Sequence, residues 1–129
     1  MNNKRLGTAF EREVVDLLSQ KGYWVHFITP DARGSQPFDI IASKDGCPFV
    51  ADCKTSSVKW FNISRLEENQ KMAFDLWLKT GNTFAYVFIK YNDKILITSY
   101  ELLKRKGRID LDNIGLFGEV HIVDENSCV

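Results

Sequence analysis

The chain has 129 residues, 44% of them hydrophobic and 12% aromatic, enough for one compact domain with a real core. Its 17 basic and 17 acidic residues cancel, which counts against a generic, strongly basic nucleic-acid binder. No apolar run approaches the ~18 residues of a membrane span, and the first residues lack the apolar stretch of a signal peptide.

Phe10, Val14, Leu17 and Leu18 share helical spacing and predict a helix over about residues 8–21, ended by Gly22. Residues 23–28 read as a strand, and 29–37, with Pro30, Gly34 and Pro37, as an irregular loop. Residues 38–43 and about 48–55 read as two strands joined at Asp45-Gly46, the signature of a two-residue type I′ hairpin. Ser64-Arg65-Leu66-Glu67 predicts a capping box opening a helix that runs to about residue 79 and ends at Gly81. A second hairpin turns at Asn92-Asp93, between strands over 84–91 and 94–98. A short helix over 100–106 and a last strand over 119–123 follow.

The hairpin carries apolar residues on both faces: Phe38, Ile40, Phe49 and Ala51 on one, Ile41 and Val50 on the other. Layers on both sides would cover such a sheet. The expectation is an α/β fold, a central mixed sheet flanked by helices on both faces, in the order αβββαββ with a variable end. No repeat or linker divides it, so residues 1–129 read as a single domain, with a core over about 4–100 and an extension over 101–129. Cys47, Cys53 and Cys128 are odd in number and lack zinc-type spacing, so reduced thiols of a cytoplasmic protein are expected.

The same hairpin places the candidate chemistry. If Lys44 pairs with Cys47 across the turn, then, counting back along both strands, Asp39 faces Asp52 with side chains about 5 Å apart. Lys54, two residues beyond Asp52, projects from the same face; Cys47 and Cys53 face away. Opposed carboxylates repel unless a cation lies between them. A divalent ion suits oxygen ligands, with Mg²⁺ first and Mn²⁺ able to substitute. Two carboxylates, such an ion and a lysine suit phosphodiester cleavage.

Other residues have a structural and a functional reading. Glu11 lies on the inward side of the first helix, but Thr8-Ala9-Phe10-Glu11 also reads as a capping box. Gln70 sits in an apolar stripe with Leu66, Ala73 and Trp77; it is either a core amide bonded to backbone or a side chain aimed at the catalytic hairpin. Arg33-Gly34-Ser35, in the loop before Asp39, is a surface turn or a substrate contact in which Arg33 holds a phosphate. Lys59 and Trp60-Phe61 serve as a staple into the next helix or contact nucleic acid. Lys4, Arg5, Arg12, Arg33, Lys44, Lys54, Lys59, Arg65 and Lys71 crowd the first part of the chain, so a locally basic face is compatible with zero net charge. His26 and His121 show no partner pattern.

Pro37-Phe38-Asp39 followed by Asp52-Cys53-Lys54 resembles the PD-(D/E)xK nuclease superfamily, with one residue inserted before the first Asp and Asp in place of the commoner Glu. Over roughly residues 4–90 the chain is similar to small Holliday junction resolvases of the archaeal or phage kind, and more distantly to the RecU family. Gly7-Thr8-Ala9-Phe10-Glu11-Arg12-Glu13 matches the acidic residue of the opening helix, Gly34-Ser35 the pair before the metal Asp, and Glu68-Asn69-Gln70 the helix after the Asp-Xaa-Lys strand. The resemblance implies a restriction-endonuclease-like core and a metal-dependent DNA endonuclease. Asp39, Asp52, the Cys53 backbone carbonyl and Glu11 would hold Mg²⁺. Lys54 would assist the attacking water, Gln70 would orient Lys54 or the water, and Ser35 would contribute to catalysis. Arg33, Ser35, Lys4, Arg5 and Lys59 would contact DNA. It further implies a homodimer acting on four-way junctions in recombination and repair, away from membranes; a phage-encoded origin is left open. The alternatives are a flap, single-strand or restriction-type nuclease on the same fold, and a non-catalytic DNA- or protein-binding module.

Overall fold

The computed structural model describes residues 3–28 and 37–115, with only the backbone for residues 3–8. Helix α1 (Asn3–Gln20) leads to strands β1 (Trp24–Phe27), β2 (Ile40–Lys44), β3 (Cys47–Thr55) and β4 (Trp60–Asn62). A 3-10 turn (Ile63–Arg65), helix α2 (Glu68–Lys79), strands β5 (Phe84–Tyr91) and β6 (Lys94–Ser99), helix α3 (Tyr100–Lys106), strand β7 (Arg108–Asp110) and a last 3-10 turn (Leu111–Asn113) complete the order. Five strands form one sheet in the order β1-β2-β3-β5-β6. β3 and β5 run parallel at its centre and every other neighbour is antiparallel. A parallel pair needs a crossover, and the segment from β4 through α2 supplies it.

Both sheet faces are covered, as the two-faced hairpin predicts. On one side α1 buries Phe10, Val14 and Leu18 against Ile40, Ala42, Phe49, Ala51 and Phe88. On the other, Phe74 of α2, Tyr100 and Leu103 of α3, and Phe61 and Ile109 of β4 and β7 pack on Val50, Val87 and Ile89. The segment after residue 100 therefore contributes core side chains. Each fully buried aliphatic or aromatic side chain contributes about 1.5–3 kcal/mol. Among the described residues, no helix is long and apolar enough to cross a membrane.

The turns follow their chemistry. Asp45 (φ 54°) and Gly46 (φ 79°) both take positive φ, as a type I′ turn requires, and Lys44 pairs with Cys47.

Several expectations change. Helix α1 starts at Asn3, so Thr8 lies inside it and the Thr8–Glu11 capping box does not form. Helix α2 starts at Glu68: Glu67 is its N-cap and Gln70 closes the box, while Ser64 and Arg65 belong to the 3-10 turn. Both boxes fit the same local pattern, and tertiary packing selects between such near-degenerate starts. Trp60 and Phe61 form β4, which pairs with β7 in a separate two-stranded ribbon; three-residue strands are too short for periodicity to reveal. Phe38 packs with Phe74 and Trp77 of α2, at ring centroids of 5.1 and 6.4 Å, not on the Ile40 face. Cys47 is disulfide-bonded rather than reduced, a pairing that sequence spacing does not encode. The expected strand over 119–123 lies outside the described residues.

Candidate active site

The carboxylate pair begins with a slip in the ladder. The last β2–β3 pair is Ile40 with Ala51. The Asp39 amide also donates to the Ala51 carbonyl, at 3.1 Å. Two residues thus oppose one, the arrangement of a β-bulge. Asp39 is therefore not the ladder partner of Asp52, as simple counting predicts, and the extra residue turns Phe38 to the α2 side. The Asp39 carbonyl accepts the Ile28 amide at 2.8 Å. Its Oδ2 accepts the Cys53 amide, also at 2.8 Å. Cys53 therefore enters the site through its N–H, which holds the Asp39 carboxylate; its carbonyl lies between Asp52 and Lys54 on β3.

The carboxylates still meet. Asp52 is fully buried and Asp39 nearly so. Burial first, then a hydrogen bond to Asp39, pushes the Asp52 carboxyl well above its usual range; Lys54 opposes the shift. Glu11, half-buried on α1, is pushed up to about 7 by burial, then by the charge of Asp39 and a hydrogen bond to it. Glu11, Asp39 and Asp52 thus form a chain of carboxyls linked through Asp39. With its capping box absent, Glu11 is free to serve this chain from the α1 side, while Glu13 pairs on the surface with Lys90 at 2.8 Å.

Gln70 approaches from the opposite layer. Its Nε2 donates to Asp52 Oδ1 at 3.0 Å; the contact is to Asp52, not to Lys54. Lys54 Nζ lies 3.3 Å from Asp52 Oδ2, yet that buried oxygen has no hydrogen-bond partner. The two facts are compatible: the ammonium is near enough to attract and too poorly aligned to bond. The Cys53 thiol is pushed well above its ordinary value by burial and the nearby carboxylates, so it is no nucleophile.

Among the described residues, no three acidic, histidine or cysteine side chains surround a common point. The chemistry of the carboxyls nevertheless fits a hard divalent cation. All are oxygen donors, burial and then their proximity to Asp39 raise the pKa values of Glu11 and Asp52, and Asp52 Oδ2 is buried without a hydrogen bond.

Arg33 and Ser35 lie outside the described residues. Lys4 and Arg5 are in the first turns of α1, and their side chains are likewise outside the description. Lys59 sits beside Trp60, its Nζ 5.3 Å from the ring centre. Arg65, whose Nη2 donates to the Thr55 carbonyl at 2.7 Å, braces the end of β3. No motif marked Arg65, because its role depends on the 3-10 turn that carries it.

A family model described as archaeal Holliday junction resolvase (hjc) matches residues 2–116. The crossover junction endodeoxyribonuclease Hjc of Methanocaldococcus jannaschii is 31% identical over 104 residues, covering 81% of this chain and 73% of that protein. The solved structure of Hjc from Archaeoglobus fulgidus, a Holliday junction resolvase, superposes with a TM-score of 0.63 at 19% identity. That match covers 81% of this chain and 86% of the other.

Proposed function

Because the chain belongs to the archaeal Holliday junction resolvase family, a family of metal-dependent endodeoxyribonucleases, we propose that its catalytic residues are Glu11, Asp39, Asp52, Lys54 and Gln70. Asp39 and Asp52, with the Cys53 carbonyl and Glu11, hold the divalent ion, and Mg²⁺ is its identity, with Mn²⁺ as substitute. When bound, that ion supplies Lewis acidity at the phosphoryl oxygens and a lowered pKa for water. The observation that carries this reading is a buried Asp52 contacted by Gln70, Lys54 and Asp39.

Each residue has a task. Gln70 fixes the Asp52 carboxylate, and the Cys53 amide fixes that of Asp39. Lys54 places an ammonium beside them to stabilise charge developing on the phosphorane-like transition state. Glu11 completes the acidic cluster from the opposite layer, directly or through water. Ser35, Arg33, Lys4, Arg5 and Lys59 contact the DNA strand.

The substrate is a four-way DNA junction, and the working form is a two-fold dimer that cuts symmetric strands. Met72 and Leu76, one turn apart on α2 and 69% and 61% exposed, supply the apolar contact. The deciding assay is Mg²⁺-dependent cleavage of a labelled junction beside duplex, flap and single-stranded DNA, with Asp52→Asn as control. Paired nicks confined to the junction, lost in Asp52→Asn while binding persists, are expected. Equal cleavage by Asp52→Asn removes the site assignment, and preference for another substrate removes the junction.

A further inference from the structure

We propose that the outer face of the β4–β7 ribbon, built from Lys59, Trp60 and Arg108, is a sequence-independent anchor for the DNA phosphate backbone; this rests on the junction-nuclease reading. Strand alternation makes the face. Phe61 pairs with Ile109, and both point into the core. Trp60, paired with Asp110, and Arg108, paired with Asn62, therefore point outward. Trp60 is 40% exposed on this face.

The ring is clasped by cations. The Arg108 guanidinium carbon lies 4.3 Å from its centre and Lys59 Nζ 5.3 Å. A cation over a ring face keeps its outward N–H donors available, and guanidinium presents five in a fork matched to phosphate oxygens. Among the described residues, neither Lys59 nor Arg108 has a carboxylate partner. The neighbouring acid, Asp110, is turned back into its own loop. Its Oδ1 accepts the Asp112 amide and its Oδ2 the Asn113 side chain, at 3.0 and 2.9 Å.

The ribbon is bolted to the catalytic strand. Arg65 Nη2 holds the Thr55 carbonyl, one residue beyond Lys54, while its guanidinium sits 5.1 Å from the Phe61 ring centre. The Leu111 amide donates to the Lys59 carbonyl at 2.7 Å. A duplex arm whose scissile phosphate reaches Asp52 thus has a cationic face on the segment leaving the same strand. This also accounts for DNA binding by a chain of zero net charge: the cations are concentrated where the arm runs.

The test is fluorescence anisotropy of a labelled four-way junction with Ca²⁺ in place of Mg²⁺, across a salt series. Lys59→Gln and Arg108→Gln should each bind about tenfold more weakly, the weight of one charge-assisted hydrogen bond. Each should lower the slope of log affinity against log salt by about 0.9, one phosphate contact. Trp60→Leu should weaken binding and Trp60→Phe should retain it. Lys94→Gln, an exposed lysine at the β5–β6 turn, should match the wild type. Unchanged affinity and slope in Lys59→Gln and Arg108→Gln, or an equal loss in Lys94→Gln, overturns the anchor. Cleavage by the wild type is scored separately. Normal junction cutting with unchanged variant binding removes the anchor alone; slope changes without junction cutting keep the anchor and remove the resolvase reading.

Discussion

Gln70 joins two structures with one amide: its Oε1 accepts the Glu67 backbone N–H at 3.0 Å and its Nε2 donates to Asp52 Oδ1 at 3.0 Å. The start of α2 and the orientation of a buried carboxylate are therefore set by the same side chain. Gln70→Leu removes a cap and leaves a buried carboxylate oxygen without its donor, a loss of about 3 kcal/mol. Its cleavage rate should fall at least tenfold. Gln70→Glu keeps the cap acceptor but adds a fourth carboxyl to the cluster, so it should be destabilised without metal and recover disproportionately on adding Mg²⁺. Denaturant midpoints with and without the ion measure this; an equal Mg²⁺ response in wild type and Gln70→Glu would contradict it.

The raised carboxyls predict an unusual pH dependence for the metal-free protein. Glu11 is pushed from 4.5 to about 7 and Asp52 upward as well. The folded state then binds more protons than the unfolded one, so stability falls as pH rises. The Glu11 contribution is fully present below about pH 4.5 and is lost as pH rises through about 7, and Asp52 adds a loss in the same direction. Thermal melts in chelator should show a declining Tm from pH 5 to 8. Glu11→Gln should flatten the decline, and Mg²⁺ should reverse it, because binding strengthens as its ligands ionise. A wild-type Tm that rises over this interval without metal would show that the cluster does not hold its protons.

These two behaviours separate what was legible in the sequence from what was not. Asp45-Gly46 is a local code for a hairpin, and alternation along it put Asp52 and Lys54 together. The bulge at Asp39 has no local code: it arises where the chain re-enters the sheet and must satisfy both β1 and β3. It alters pairing and the side taken by Phe38, yet the carboxyls still meet because Asp39 reaches across to the Cys53 amide. Gln70 was visible as a polar residue in an apolar stripe, but its partner was not, since helix-to-strand contacts are tertiary. The β4–β7 ribbon joins segments nearly fifty residues apart, and neither three-residue strand has a period to read.

Asp93 offers a stabilising change away from the site. Asn92 and Asp93 turn the β5–β6 hairpin with φ of 51° and 59°, a conformation strained for residues with a Cβ. Asp93→Gly matches the Asn-Gly pair that type I′ turns favour and should add about 0.5–1 kcal/mol net of glycine's greater unfolded-state entropy. The denaturant midpoint should rise with m unchanged and cleavage unaffected. A lower midpoint would mean that the Asp93 side chain contributes more than its backbone costs.

The proposed dimer is the last test, and α2 connects it to the chemistry. Met72 and Leu76 lie on the helix whose first turn holds Gln70 against Asp52. A two-fold contact through this helix would place two active sites at a fixed separation, which paired incisions in one junction require. Leu76→Asp puts a charge on an exposed position, so the protomer's own fold should be unchanged within ~0.5 kcal/mol, while burial of that charge should oppose association. Sedimentation should move from dimer to monomer mass. On a supercoiled plasmid extruding a cruciform, the product should shift from linear, cut twice within one complex, to nicked circles. A Leu76→Asp protein that stays dimeric and still linearises the plasmid would place the contact elsewhere on the molecule.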